Sequence, residues 1–270
     1  MPVALPLIVV STPAMLHREC VPTLYRRIMN RKIAVVIFSY NEGGKIKSTL
    51  SKFPTKRYYD IILMNDGSTD GSIEQIHTLI NQLDVTVLSH DTNRGIGRAM
   101  KTAFRYVLSN GYEIIIIMAG NDKDNPKEIP RLLKPLLFEG YDFVQGSRFI
   151  KGGIYGKMPL YRILSTKMIH PLLFSIIVQK RVTESTNGFR AFKTSILKDK
   201  RINWEQDWLD KYELEPYLLY KVYRLGYKVT EVPVTKIYPP KKLGYTKMKP
   251  IIGWWSILKP LIFLGLHIKK

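Results

Sequence analysis

Two acidic turns, each directly after an apolar run, are the parts of this chain best suited to chemistry. Residues 61–64 are apolar and lead to Asp66, and residues 33–38 lead in the same way to Tyr40 and Glu42. Short apolar runs bounded by turn residues are typical of buried strands in a parallel sheet. Ligands bind such sheets beyond the carboxyl ends of the strands, so both carboxylates are expected to face one crevice. They can accept hydrogen bonds from a ribose or a base edge, although the same residues also suit simple turn and capping roles.

A third polar loop follows the apolar run 113–118, and it contains Asn121, Asp122, Lys123 and Asp124. Carboxylate and amide oxygens are the ligands that a hard divalent cation prefers, and a lysine neutralises phosphate charge. The alternative is that these acids only cap the helix that is expected to begin near Pro126.

Four arginines lie in predicted loops or next to strand ends: Arg94, Arg148, Arg162 and Arg190. A planar guanidinium can bind a phosphate through two parallel hydrogen bonds, which a lysine cannot do. Arg94 lies beside Gly95 and Gly97, where the backbone can approach a ligand closely. The alternative for Arg162 is an ordinary cation on a helix surface.

The elements that must position these residues alternate between strand and helix. Apolar runs predict strands at 33–38, 60–64, 85–88, 113–118, 141–145 and 227–234, and helical stretches are expected near 44–52, 71–82, 94–109 and 126–138. Asp70 with Glu74 is a capping pattern for the second helix. Such alternation predicts an α/β fold with a doubly wound, mostly parallel sheet.

Composition narrows the class of partner. The chain has 270 residues, a formal net charge of +20 and a single cysteine, Cys20. One cysteine excludes an intrachain disulfide and a cysteine-rich zinc site. The positive charge favours an anionic partner, such as a phosphorylated substrate or an anionic membrane surface. Nucleic acid is not favoured, because the basic residues are spread along the chain without a nucleic-acid-binding motif.

Three segments are expected along the chain: a peripheral N-terminal extension (1–28), a catalytic domain (29–240) and a basic, aromatic C-terminal segment (241–270). The tail from 251 to 268 is mainly apolar but contains Trp254, Trp255 and Lys259. Paired tryptophans flanked by lysines favour an interfacial, amphipathic helix, and the alternatives are a helix docked on the core or a spanning helix.

Five short motifs follow one another along the chain, and their order is characteristic of one family: 39–42, 65–70, 93–97, 146–148 and 186–190. Over roughly residues 31–240 the chain resembles the GT-A glycosyltransferases of family 2, and it is most similar to the dolichol- and polyprenol-phosphate sugar transferases. The resemblance implies a GT-A, Rossmann-like fold. It also implies that Tyr40, Glu42, Asp66 and Arg94 belong to the binding site of a nucleotide-diphosphate sugar.

The chain departs from the pattern of that family at the metal site. In an ungapped alignment on Pro126, Ala119 and Asn121 stand where the two aspartates of an Asp-x-Asp motif usually bind a divalent cation. We expect a shifted Mg²⁺ or Mn²⁺ site formed by Asn121, Asp122 and Asp124, with Lys123 neutralising part of the diphosphate. A weak site and metal-independent binding are the alternatives.

The resemblance also assigns the acceptor side. Arg148 and Arg162 would hold the phosphate of a lipid acceptor, and Arg190 and Asp124 complete the predicted catalytic set. Lys241 and Lys242 lie where relatives tend to carry arginine in a loop that closes over the donor.

The predicted reaction is inverting transfer of a sugar to a polyprenyl phosphate, by an enzyme bound peripherally to the cytoplasmic face of a membrane. A phosphate oxygen is anionic near neutral pH, so it needs no general base. A saccharide or glycolipid hydroxyl acceptor would need a carboxylate base, for which Glu184, Glu205 and Asp207 are candidates. A catalytically weakened membrane-bound adaptor is the remaining alternative.

Overall fold

The computed structural model describes residues 31–239, 252–266 and 268–269. The predicted extension 1–28 and the predicted donor-loop residues Lys241 and Lys242 lie outside this range. Nine strands are described: β1 (Ile33–Ser39), β2 (Asp60–Asn65), β3 (Val85–Ser89), β4 (Ile114–Ala119), β5 (Phe143–Ser147), β6 (Ile154–Gly156), β7 (Arg190–Lys193), β8 (Val229–Pro233) and β9 (Thr235–Ile237).

The α-helices of the described residues connect and cover these strands. They are α1 (Gly44–Leu50), α2 (His77–Gln82), α3 (Ile96–Ser109), α4 (Ile129–Phe138), α5 (Leu160–Leu164), α6 (His170–Val178), α7 (Ser195–Lys198), α8 (Leu214–Arg224) and α9 (Ile252–Gly265). Three 3₁₀ turns, at Glu74–Ile76, Pro126–Glu128 and Asp207–Leu209, precede helices or loops, and a π-helical turn at Ser165–Ile169 joins α5 to α6.

Seven strands form one sheet in the order β3-β2-β1-β4-β7-β5-β8. All neighbouring strands are parallel except at β7, which runs antiparallel to both β4 and β5. The predicted α/β class with a mostly parallel sheet is therefore confirmed. The sequence did not predict β7, a strand of four residues whose ends are Arg190 and Lys193.

The central strands are apolar throughout because both faces of the sheet are covered. In β1, Ala34, Val36 and Phe38 pack into one core, and the alternating residues at 33, 35 and 37 pack into the other. Successive side chains of a strand point to opposite faces, so a strand between two helical layers must be apolar at every position. This arrangement explains why the apolar runs predicted the strands well.

One local prediction was wrong. The second helical segment begins with the 3₁₀ turn at Glu74 rather than at residue 71, and the Asp70 carboxylate accepts hydrogen bonds from the backbone N–H groups of Gly43 (2.9 Å) and Ser72 (3.1 Å). Asp70 therefore joins two loops instead of capping a helix. The predicted strand 227–234 is present as β8, and β9, which begins at Thr235, pairs with β6 in a separate two-stranded sheet.

Helix α9 packs on α6 and α8 through Leu261 and Leu264, which are buried. Trp255, Ile262 and Leu266 are exposed. One face of the tail thus docks on the core and other apolar side chains are exposed, and an interfacial role for this helix stays a prediction. None of the described helices is long and apolar enough to cross a membrane.

Candidate active site

The turns that follow β1 and β2 are linked side by side at the carboxyl edge of the sheet. Ser39 and Asn65 are paired at the ends of these strands. The backbone N–H of Asn41 donates to Ser68 Oγ (3.0 Å), and the N–H of Thr69 donates to Asn41 Oδ1 (2.7 Å). The two acidic turns therefore form one wall, as expected for neighbouring parallel strands.

Asp66 is buried, and protein groups already use both of its carboxylate oxygens. It lies 2.7 Å from His90 Nδ1, and it accepts hydrogen bonds from Asn93 Nδ2 (3.1 Å) and from the backbone N–H groups of Arg94 (3.0 Å) and Gly95 (2.9 Å). Direct binding of the nucleotide by this carboxylate stays a prediction. In this arrangement Asp66 holds the 93–95 loop, because a carboxylate with four protein partners has little capacity for another.

Glu42 and Tyr40 lie partly buried on the same wall. Glu42 Oε2 is 2.8 Å from Lys45 Nζ, so its charge is compensated within the first turn of α1. Their assignment to a nucleotide site remains a prediction.

The Arg94 side chain is exposed, while its backbone is held by Asp66. The following Gly97 permits a close approach, since a Cβ at this position would lie 2.0 Å from the Leu209 carbonyl oxygen. A larger residue would therefore separate the start of α3 from the 207–210 segment. Arg94 is consequently presented at the rim of the crevice by a fixed backbone.

The loop after β4 does not assemble the predicted shifted metal site. The Asp122 carboxylate accepts hydrogen bonds from Ser48 Oγ (2.8 Å) and Lys52 Nζ on the side of α1. The Asp124 carboxylate lies 2.6 Å from Lys236 Nζ, and Asn121 Oδ1 accepts a hydrogen bond from the Lys123 backbone N–H (3.3 Å). Among the described residues, no group of three or more His, Cys, Asp or Glu side chains could hold a metal ion. The donor set of this loop therefore does not fit a divalent cation, because each carboxylate is bound to a different lysine.

A cluster of cations lies beside this loop instead. Lys123 Nζ is 4.4 Å from the centre of the Tyr238 ring, and the Arg162 guanidinium is 5.4 Å from the same centre. Burial, followed by the charges of Lys236 and Arg162, lowers the pKa of Lys123 to about 7. Glu42 and Asp124 act in the opposite direction. We call Lys123, Lys236 and Arg162 the cation cluster.

Arg148 is buried, and its guanidinium lies in a network of hydrogen bonds within the protein. Its guanidinium donates to both Glu184 oxygens (2.7 and 3.2 Å) and to Thr186 Oγ1 (3.0 Å). Burial is the largest single effect and lowers the pKa of Arg148. The charge of Glu184 and its hydrogen bonds with the guanidinium act in the opposite direction, and the net result is a raised pKa. Arg148 therefore joins β5 to the 183–187 segment through a bidentate contact within the protein. Its binding of the acceptor phosphate stays a prediction.

Arg190 is also an internal residue. Its guanidinium is fully enclosed and donates to the carbonyl oxygens of Asn187 (2.7 Å) and Glu215 (3.2 Å). Burial lowers the pKa of Arg190, and the nearby Glu215 and Glu184 oppose that change. Arg190 therefore fixes the 187–190 loop to α8, and its catalytic role stays a prediction.

The structure also places the candidates for a general base. Glu184 is buried against Arg148, and Glu205 forms an ion pair with Arg105 on the surface. The Asp207 side chain is almost wholly exposed. These contacts give no support to a base among the three carboxylates.

Sequence reasoning missed His90 and Lys236. His90 directly follows β3, and the rule that located Asp66 at a strand end would also have located it. Lys236 lies in a short strand of the small sheet, and its Nζ reaches both Asp124 and Asn187 Oδ1 (2.7 Å). No local signal in the sequence relates Lys236 to a residue so far away along the chain.

A mostly parallel sheet with acidic and basic side chains gathered at its carboxyl edge is a Rossmann-like arrangement. The chain belongs to glycosyl transferase family 2, whose family model matches residues 34–200. It is therefore an enzyme that transfers a sugar, which confirms the predicted class.

Two characterised relatives indicate where in that family the chain lies. The chain is 28% identical over 222 residues to the undecaprenyl-phosphate mannosyltransferase of Micrococcus luteus, covering 80% of this chain and 87% of that protein. It is 26% identical over 224 residues to the UDP-N-acetylglucosamine–dolichyl-phosphate N-acetylglucosaminyltransferase of Methanococcus voltae, covering 77% and 87%.

Solved structures agree with the fold. Glucosyl-3-phosphoglycerate synthase from Mycobacterium tuberculosis superimposes with a TM-score of 0.65 at 20% identity, over 91% of this chain and 83% of that one. The same enzyme has been crystallised with Mn²⁺ and UDP, and that complex gives a TM-score of 0.61.

Proposed function

We propose that this enzyme transfers a sugar from a nucleotide-diphosphate sugar to a polyprenyl phosphate, with inversion at the anomeric carbon. The observation that carries the proposal is the proximity of the cation cluster to an exposed apolar helix. Arg162 belongs both to this cluster and to α5. An acceptor with an anionic head and a long apolar chain would match both features.

The apolar helix face consists of exposed side chains spaced four residues apart through α5, the π-helical turn and α6: Leu160, Leu164, Met168, Leu172 and Ile176. Leu160 is 80% exposed and Ile176 is 65% exposed, which is unusual for large apolar side chains lying in one row. A row of this kind is typical of a surface that contacts lipid or another partner. Its place on the helix that carries Arg162 favours lipid.

The same surface supports the proposal that the enzyme attaches peripherally to the cytoplasmic face of a membrane. Lysines near an anionic headgroup layer contribute about 1 kcal/mol each, and the chain has a net charge of +20. An apolar face combined with lysines such as Lys167 gives reversible binding. Both relatives named above act on lipid phosphates, according to their names.

In the proposed mechanism, the enzyme mainly positions the acceptor phosphate and the donor, and it does not need to remove a proton from the acceptor. An acceptor phosphate oxygen attacks the anomeric carbon, and the nucleoside diphosphate leaves from the opposite face with the bonding electron pair. The attacking oxygen is already anionic, so no carboxylate base is required. Arg162 would orient the acceptor phosphate, and cationic side chains would stabilise the leaving diphosphate.

A donor screen against one polyprenyl phosphate tests the proposal. Purified enzyme, detergent and undecaprenyl phosphate would be incubated with each common UDP-, GDP- and TDP-sugar, and the lipid fraction would be analysed. We expect a lipid phosphate-sugar that mild acid cleaves. A product stable to mild acid would indicate a hydroxyl acceptor, and no product with any donor would favour the adaptor alternative.

The acceptor role of Arg162 can be tested in the same assay. Arg162→Ala should raise the KM for the lipid phosphate by about tenfold or more, the scale of one charged hydrogen bond, while the KM for the donor changes little. Lys151→Ala, which removes an exposed cation from a nearby turn, is the matched control. Equal effects of the two variants on the lipid KM would contradict this role.

A further inference from the structure

A cavity of about 300 Å³ lies where α6, α8 and α9 meet, outside the candidate active site. Its apolar lining consists of Ile176 and Ile177 from the end of α6 and of Leu264 from α9. Gly265 also lines the cavity, and a Cβ at this position would lie 3.4 Å from Ile177 Cδ1. A large side chain at residue 265 would therefore occupy part of the space that the glycine leaves open.

Three polar side chains complete the lining of the cavity: those of Gln179, Tyr220 and Arg224. The Tyr220 hydroxyl donates to the Leu264 carbonyl oxygen at 3.5 Å, which links α8 to α9 in the wall. The side chains of Gln179 and Arg224 are exposed. An apolar lining with a few polar groups that fix the orientation of the ligand is typical of pockets for small molecules.

The charge around the cavity is entirely positive in the sequence. The three stretches of chain from which the lining comes, 171–183, 216–230 and 251–270, contain eight lysines and arginines and no aspartate or glutamate. Lys180 and Arg181 directly follow Gln179 and are exposed. Within the described part of the chain, no ion pair involves Lys180, Arg181 or Arg224. An anion at the mouth of the cavity would therefore meet cations that carboxylates do not compensate.

The cavity is continuous with the apolar helix face. Ile176 is the last residue of that face, is 65% exposed and also lines the cavity. Leu266 and Ile268, which follow Gly265, are exposed as well. A membrane in contact with the apolar helix face would thus also contact the mouth of the cavity. The molecules that such a membrane supplies in excess are phospholipids.

The cavity is separate from the proposed acceptor site. Arg162 and Ile176 belong to one helical segment that runs through α5, the π-helical turn and α6. A rise of 1.5 Å per residue places about 20 Å between them along the helix. A single phosphate group is too small to contact Arg162 and the cavity at the same time.

We propose that the cavity binds a segment of one acyl chain of an anionic phospholipid, whose headgroup phosphate lies on Arg224. The inference rests on the membrane attachment proposed above and deepens it, because it assigns one lipid to a defined site. A volume of about 300 Å³ is at the lower limit of ligand pockets, so it suits part of one chain rather than a whole lipid. A zwitterionic phospholipid brings a cation of its own, which the positive surroundings disfavour.

Short-chain lipids test the site without a membrane surface. Dihexanoyl phosphatidylglycerol, dihexanoyl phosphatidylcholine and glycerol 3-phosphate, each below any micelle concentration, would be titrated into the full-length enzyme and followed by NMR. We expect phosphatidylglycerol to bind at least about tenfold more tightly than the other two, the scale of one charged hydrogen bond or of a few buried methylene groups. Equal affinity for the two phospholipids, or for glycerol 3-phosphate, would overturn the inference.

The headgroup assignment requires a matched pair of variants. Arg224→Ala should weaken binding of phosphatidylglycerol by about tenfold and leave phosphatidylcholine almost unchanged, because only the anionic headgroup loses a partner. Lys127→Ala removes an exposed cation from another part of the surface and should bind both lipids like the wild type. Wild-type affinity of a folded Arg224→Ala variant for phosphatidylglycerol would contradict the assignment.

The place of the acyl chain is tested by filling the cavity. Gly265→Leu should weaken both phospholipids by about tenfold or more, since its side chain takes the space of the chain. Gly265→Ala adds only a methyl group in contact with Ile177 and should change either affinity by less than about threefold. Circular dichroism would confirm that both variants are folded. Equal affinities of Gly265→Leu and the wild type would exclude the cavity as the site of the chain.

The outcomes separate this inference from the proposed function. Arg162→Ala should leave phosphatidylglycerol binding unchanged, and displacement of phosphatidylglycerol by undecaprenyl phosphate would reassign the cavity to the acceptor and overturn the inference. Sugar transfer without any phosphatidylglycerol binding would refute the phospholipid site alone. Binding that depends on Arg224, with no transfer to polyprenyl phosphate from any donor, would leave the site standing and refute the proposed function.

Discussion

Asp66 organises the donor side of the crevice by ordering a loop. Its carboxylate gathers His90, Asn93 and two backbone N–H groups, which fixes the glycine-containing turn that presents Arg94. The charge of this residue therefore matters for stability as well as for the site. A carboxamide has the same shape but only one acceptor oxygen, so it cannot satisfy all four donors.

We expect Asp66→Asn to lower the free energy of unfolding by about 2–4 kcal/mol, since a buried network loses its acceptor. Urea denaturation followed by circular dichroism would measure the change. Asp91→Asn, at an exposed position in the same segment, should change stability by less than about 0.5 kcal/mol. Equal stabilities of the two variants would contradict the geometry at Asp66.

The buried Arg148–Glu184 pair leads to a different prediction. Removing one partner leaves a buried charge without compensation, so Arg148→Met should cost about 3–5 kcal/mol of stability. The double variant Arg148→Met with Glu184→Gln leaves no charge and should be destabilised less than Arg148→Met alone. A double-mutant cycle in urea measures the coupling, and additive effects would indicate that the two side chains are independent.

Sequence could locate most of these residues but not their partners. The apolar runs and turn residues put Asp66, Asp122 and Arg148 at strand ends, where the structure has them. Which side chain each one faces depends on segments that lie far away along the chain, such as Lys52 for Asp122 and Glu184 for Arg148. A motif gives no information about that pairing, so the ion pair between Arg148 and Glu184 could not be predicted from the sequence.

At the scale of elements, the helix from Leu160 to Val178 carries the clearest functional signal. Its apolar helix face is exposed, whereas His170 and Phe174 on the same helix are buried. A row of exposed apolar side chains of this length adds nothing to the stability of the isolated protein. We therefore expect it to bind a lipid surface or another molecule.

We expect the double variant Leu172→Glu with Ile176→Glu to bind anionic lipid vesicles at least about tenfold more weakly, because two exposed apolar side chains each contribute on the order of 1 kcal/mol. Vesicle co-sedimentation measures the effect. Val87→Glu, at a partly exposed apolar residue of β3, is the control and should bind like the wild type. These variants are preferable to deletion of residues 250–270, since Leu261 and Leu264 pack in the core and their loss would unfold part of the protein.

Elements were predicted well wherever the pattern was long. The strands β1, β2 and β4 are largely apolar on both faces, and the boundaries of β1 to β4 agree with the sequence to within a residue or two. In contrast, β7 has four residues, and charged side chains stand at both of its ends. A strand so short is stabilised by its two neighbours in the sheet rather than by its own pattern, and sequence alone carries little information about it.

At the scale of the whole molecule, the buried His170 gives the fold a dependence on pH. Burial lowers the pKa of His170 from 6.5 to about 4, and contacts with the Ile257 backbone and with Glu184 oppose the change. Between about pH 4 and 6.5 the unfolded chain therefore binds a proton that the folded protein excludes. Stability attributable to His170 is present above pH 6.5 and decreases as the pH falls through this window.

We expect the wild type to lose stability more steeply than His170→Asn between pH 6.5 and pH 4, by up to about 1.4 kcal/mol per pH unit. Urea unfolding at several pH values measures the two slopes. Asparagine can keep a hydrogen bond to Ser185 but cannot be protonated, so the slopes are compared rather than the absolute stabilities. Parallel slopes would show that His170 is protonated equally in both states.

The strand order has a consequence for co-translational folding of this protein. Strands β1 to β4 lie together in the chain and can pair as soon as they emerge, but β5 cannot reach β4 directly, because β7 lies between them. The growing polypeptide must therefore carry an open, apolar sheet margin at β4 until residues 190–193 have been translated. Synonymous codons that slow translation between β4 and β7 should prolong that exposure and increase the fraction of nascent chains captured by chaperones.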